Sequence, residues 1–155
     1  MFWHMQMHQG GEKDRKLWKE REILEKYSFI GLAGLTHWSG GRRAHHYFLE
    51  MMAINDIVAV RQGTEFIALA QVVGEADPLS ELEKQNSLVG WMCYKRPVKI
   101  LDWAHGQYKA ADCYRPTLMP CNIQNPKSKT DHTIREWCEK VQGSLKIKGE
   151  GIVLV

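Results

Sequence analysis

The chain has 155 residues, near the modal size for one domain, and residues 1–155 read as a single unit. Apolar residues make up 44% and charged residues 25%, which excludes a disordered chain, and a chain of this length folds without metal or disulfide support. The net charge of +3 and pI of about 8.7 admit a nucleic-acid partner without requiring one.

No apolar run approaches the ~20 residues of a membrane span. Residues 1–10 lack the basic start and apolar core of a secretory signal, so the expected location is the cytoplasm. Cys93, Cys113, Cys121 and Cys138 are scattered, with no C-x-x-C pair to fix half a zinc tetrahedron. They read as reduced thiols, and neither a metal nor a cofactor is expected.

Residues 2–8 form the first predicted strand, with Trp3, Met5 and Met7 on one face and His4, Gln6 and His8 on the other. Residues 14–27 are rich in helix formers, and Leu17, Leu24 and Tyr27 share a helical face. A short apolar piece, 29–35, leads into the glycine-rich stretch Thr36-His37-Trp38-Ser39-Gly40-Gly41. A second helix is expected over 42–52, with Ala44, Tyr47, Phe48 and Met51 as its buried stripe.

A hairpin follows. Its strands are 56–60 and 65–73, joined by Arg61-Gln62-Gly63-Thr64. The second strand is apolar on both faces, which suits a nearly closed sheet covered by helices. Asp77-Pro78 breaks the pattern, and 79–85 supplies one or two helical turns. Residues 91–103 read as a long strand that Pro97 confines to an edge or a bulge. Residues 108–126 show no period and are expected to be loop. Residues 131–141 form a helix capped by Asp131 or Thr130, burying Ile134, Trp137, Cys138 and Val141. Residues 151–155 read as a terminal strand or the start of a linker.

The order of these features resembles a known group. An aromatic strand, a helix, a tryptophan loop and a second helix lead into Asn55-Asp56-Ile57-Val58. A strand ending Val72-Val73-Gly74-Glu75 and a tryptophan-led strand ending Pro97-Val98-Lys99-Ile100 complete the set. Over residues 2–103 this is similar to the EVE and YTH members of the PUA-like superfamily. It also looks like the modules attached to McrB-type, modification-dependent restriction systems. Two positions depart from the pattern. Asn55 stands where the family usually has Gly, and Asn tolerates positive φ. Gln6-Met7 stands where Lys-Ser is usual.

The resemblance implies an α+β, PUA-like pseudo-barrel of about five to six strands flanked by helices. It implies a non-catalytic binding module for a flipped modified base, in DNA rather than RNA, acting in defence beside an effector nuclease or NTPase subunit. Trp38 and Trp91 match the aromatic cage, Ser39, Gly40, His8 and Gln9 are base-edge candidates, and Arg42, Arg43, Lys95, Arg96 and Lys99 lie where phosphates would pass. The competing readings are a lid over the core for Trp38, simple packing for Trp91, and solvated charge for the cations. Trp3, Trp18, Trp103 and Trp137 are assigned to packing, with Trp103 nearest the pocket rim.

An enzyme is the weaker reading. His45 and His46 are adjacent and point to different helix faces. Asp112-Cys113 with His105 upstream hints at a thiol nucleophile, but no oxyanion-hole, P-loop or deaminase motif accompanies it. A small-molecule or protein-interaction module on the same scaffold is the other alternative.

Overall fold

A computed structural model describes residues 1–7, 19–34, 41–111 and 117–147. In chain order the elements are β1 (Phe2–Met5), α1 (Glu20–Tyr27), β2 (Phe29–Ala33) and α2 (Gly41–His46), which runs into a π-helical turn at Tyr47–Met51. Then come β3 (Ile57–Gln62), β4 (Glu65–Val72), β5 (Asp77–Pro78), α3 (Glu81–Lys84), β6 (Met92–Trp103), β7 (Leu118–Pro120) and α4 (Lys129–Ile147). The strands make one mixed sheet in the order β2-β6-β4-β3-β1-β7, with β5 also paired to β6. The fold is α+β, a curled half-barrel flanked by helices.

The sheet divides the core in two. Val58, Val60, Ala68 and Ala70 pack inside the curl with Trp3, Met5, Leu24 and Phe48. The alternate residues Ile57, Ala59 and Leu69 face α4, where Ile134, Trp137, Cys138 and Val141 cover them. This explains why β3 and β4 are apolar on both faces. The α4 stripe matches the sequence expectation, and the helix continues past 141 to Ile147.

β1 lies inside the sheet, parallel to β3 and antiparallel to β7. His4 in β1 and Gln6 just after it are buried rather than facing solvent. The Gln6 side-chain carbonyl accepts the Gly63 N–H at 2.9 Å and so anchors the β3–β4 turn.

That turn is shorter than expected. Arg61 and Gln62 continue β3, and Gly63, at φ 63°, takes the left-handed position of a tight reversal. Asn55, at φ 74°, holds the positive-φ position read from the sequence, and its Oδ1 accepts the Gln71 amide at 2.9 Å.

The second helix departs from an α period. One extra residue in the π turn carries Met51 out to 43% exposure and brings Met52 into the core at 3%. Asp77-Pro78 is a short strand against Lys95 and Tyr94 of β6. Pro97 is neither at an edge nor in a bulge. It sits where β6 changes partners, from β2 and β5 below to β4 above, as the pairs Phe29↔Pro97 and Val72↔Val98 show. β7 emerges from the stretch expected to be loop. Residues 151–155 lie outside the described residues.

Candidate ligand-binding cavity

A cavity of about 680 Å³ opens where the lower half of β6 meets α2, α3 and β5. Trp91, Met92, Tyr94 and His45 line it, together with Gly34, Pro78, Lys84 and Cys93. The volume lies within the range of small-molecule pockets, roughly 300–1,000 Å³.

The turn ahead of β6 fixes the tryptophan. Ser80 caps α3 by accepting the Glu83 N–H at 3.2 Å, while the Glu83 carboxylate accepts the Ser80 N–H at 2.8 Å. Gly90 N–H then donates to the Asn86 carbonyl at 2.8 Å, so tightly that a Cβ on Gly90 would fall 2.3 Å from the Lys84 carbonyl oxygen. Trp91 follows, half-buried, with its indole N–H donating to the Leu88 carbonyl at 3.0 Å. Its one polar group is thereby satisfied, leaving the ring as an apolar stacking surface.

His45 is also held in place. Its Nε2 lies 2.8 Å from the Ala33 carbonyl, and its ring meets Tyr94 edge-on at 5.6 Å. His46 points away to Glu50, at 3.1 Å, so the two histidines occupy different faces as read from the sequence. Gly31 allows β2 to close against β6, because a Cβ there would fall 1.9 Å from Met92 Sδ.

Of the expected cage, Trp91 lines the cavity, whereas Trp38, Ser39, Gly40, His8 and Gln9 lie outside the described residues. The chain leaves for residues 35–40 from Gly34, in the cavity wall, and returns at Gly41, the first residue of the helix bearing His45. The cations divide. Arg42, Arg43 and Lys99 are exposed. Lys95 is half-buried, paired with Glu83, and lies 5.5 Å above the Phe29 ring. This pairing, with the Ser80 N–H, holds the Glu83 carboxyl below its ordinary value.

Arg96 departs from expectation altogether. It is 1% exposed, and its guanidinium donates to the carbonyls of Phe48 (2.8 Å) and Gly74 (3.1 Å), with Leu49 at 3.5 Å and the Glu75 carboxylate at 3.3 Å. It is a structural cation, closed to phosphate.

Among the remaining tryptophans, Trp3 and Trp137 are fully buried and donate to Asp56 and Asp102, each at 2.7 Å. Trp103 is half-buried under the Arg21 guanidinium, 4.6 Å from its ring, and is not part of the cavity wall. Trp18 and Cys113 lie outside the described residues, and His105 occupies an exposed turn at φ 46°. Sequence reasoning missed His45, Tyr94, Pro78 and Lys84 as lining residues. Only Tyr94 carried a signal, since it shares the inward period of β6 with Met92.

Among the described residues, no group of three or more His, Cys, Asp or Glu is placed to hold a metal, and no helix is long and apolar enough to cross a membrane. Comparison of the chain with protein families and with curated proteins returned no match.

Proposed function

We propose that the chain is a PUA-like domain of the EVE or YTH kind that accepts a flipped, modified base of DNA in the cavity fronted by Trp91. The observation that carries this reading is an open cavity of about 680 Å³ walled by an indole whose N–H is already bonded. Such a ring offers a base roughly 1–3 kcal/mol of stacking without reading its sequence. The curled sheet flanked by helices supports the same reading.

Trp38 is the proposed opposing face, and Ser39 and Gly40 the proposed edge contacts. Both ends of the segment that carries them belong to elements forming the cavity. His8 and Gln9 are further edge candidates. Arg42, Arg43 and Lys99 are the exposed cations proposed to follow the phosphates. Burying a methyl group adds about 0.8 kcal/mol, so discrimination of the modification depends on the fit of the walls. The module performs no reaction in this reading, and an effector nuclease or NTPase would act on its signal.

The test is a titration of duplexes carrying methylated, hydroxymethylated or unmodified cytosine against wild type, Trp38→Ala and Trp91→Ala. Preference for one modified duplex, lost in both variants and falling steeply with added salt, is expected. Equal, weak binding by all three proteins overturns the proposal. Salt-insensitive binding of a free nucleobase instead favours a small-molecule module.

A further inference from the structure

The cavity fronted by Trp91 has room for more than one planar ring. Its volume of about 680 Å³ falls in the middle of the range that takes drug-sized ligands, roughly 300–1,000 Å³, whereas a lone nucleobase is only a fragment of such a ligand. The lining runs from Trp91 along the start of β6 to Tyr94, roughly 10 Å at the rise of a strand, and Pro78 lies across from Tyr94 as its pairing partner. A base stacked on the Trp91 indole occupies one end of that length. A methyl group added to it leaves the remainder to water, and surfaces held apart by a gap forfeit their dispersion contacts.

The rest of the lining is polar but balanced in charge. Tyr94 is half-buried, and its hydroxyl has no hydrogen-bond partner among the described residues. Lys84 donates to the Glu81 carboxylate at 2.6 Å, which offsets its charge and leaves two of its three N–H donors. Lys95, next to Tyr94 in β6, is likewise paired with Glu83. Among the described residues no carboxylate lines the cavity. An anionic substituent would therefore compete with Glu81 for Lys84, and a cationic one would meet no acid in the lining. A neutral group rich in hydroxyls suits the site better: Tyr94 and Lys84 offer it hydrogen bonds, and the Tyr94 and His45 rings, edge-on at 5.6 Å, offer it apolar contact.

We propose that the modification accepted by this cavity is a bulky, neutral, hydroxyl-rich one, a glycosyl group carried on a hydroxymethyl arm of the base. The inference rests on the base-reading role and narrows it from modified bases at large to glycosylated ones.

The experiment titrates the full chain with three duplexes that differ at one cytosine, which carries a 5-methyl, a 5-hydroxymethyl or a glucosyl-5-hydroxymethyl group. The free glucosyl-5-hydroxymethyl-deoxycytidine nucleoside forms a fourth arm. The glucosylated duplex should bind at least about tenfold more tightly than the methylated one. Tyr94→Phe and Lys84→Ala, with native folding checked by circular dichroism, should each shrink that preference by about three- to tenfold. Tighter binding of the methylated or hydroxymethylated duplex overturns the inference and leaves base reading standing. Saturable binding of the free nucleoside, without preference among the duplexes, upholds the glycosyl site and overturns the flipped-base role. A preference unchanged in both variants overturns the inference, and binding of none of the four ligands removes both.

Discussion

Arg96 carries a full charge into a place that excludes water, and the geometry of the π turn explains why. A helix leaves its last carbonyls without N–H partners. Here the Phe48 and Leu49 carbonyls at the end of the π turn, together with that of Gly74, converge on one guanidinium whose planar fork can serve all three. Arg96→Ala leaves these buried acceptors open and should destabilise the protein by about 3–5 kcal/mol, measured by urea unfolding. Arg96→Lys, a single point of charge, should recover only part of that loss. Lys99→Ala, three residues on and exposed, should stay within about 0.5 kcal/mol of wild type. Arg96 was misread because Lys95-Arg96 looks like surface charge by composition. The period of the strand held the better signal: Met92, Tyr94, Arg96 and Val98 share one face.

At the scale of elements, the α3–β6 connection decides where the candidate stacking surface points. Gly90 sits between the carbonyls of Lys84 and Asn86, which a Cβ would approach to 2.3 and 2.7 Å. Backbone oxygens cannot swing aside as a side chain can, so Gly90→Ala must open the turn. A loss of about 1–3 kcal/mol is expected, with a shifted tryptophan fluorescence spectrum in the native state. Elements with their own periodicity were legible: the α4 stripe and the apolar faces of the central hairpin. Those defined by neighbours were not. β5 is two residues that count as a strand only beside Tyr94 and Lys95, and β7 exists because β1 offers it an edge. The cavity fared likewise. Trp91 was found as an aromatic at a strand start, but His45, Pro78 and Lys84 reach it from α2, β5 and α3, a convergence that spacing along the chain does not encode.

Across the whole molecule, two buried ionisable groups oppose each other as pH changes. Burial pushes Glu20 up from 4.5 to about 7, and its Oε1 has no hydrogen-bond partner. The folded state thus holds a proton that the unfolded chain releases, so this contribution is present below pH 4.5 and is lost as pH rises to about 7. His4, lowered from 6.5 to about 4, acts in the other sense: its contribution is present above pH 6.5 and is lost as pH falls to about 4. Between pH 4.5 and 6.5 the two slopes nearly cancel, and their sum is close to flat. Glu20→Gln removes one of them. This variant should gain about 3 kcal/mol near pH 7 and show stability rising from pH 4 to 6.5, read from urea midpoints across that range.

β1 is made before both of its partner strands. Its two edges are filled by residues 57–60 and 118–120, so Trp3 and Met5 leave the ribosome before either partner has been translated. At roughly 5–20 residues per second, the nascent chain carries this apolar stretch unpaired for several seconds. That stretch is therefore a part a chaperone meets with open edges, and docking of the half-barrel's interior strand waits until residues 118–120 have been made.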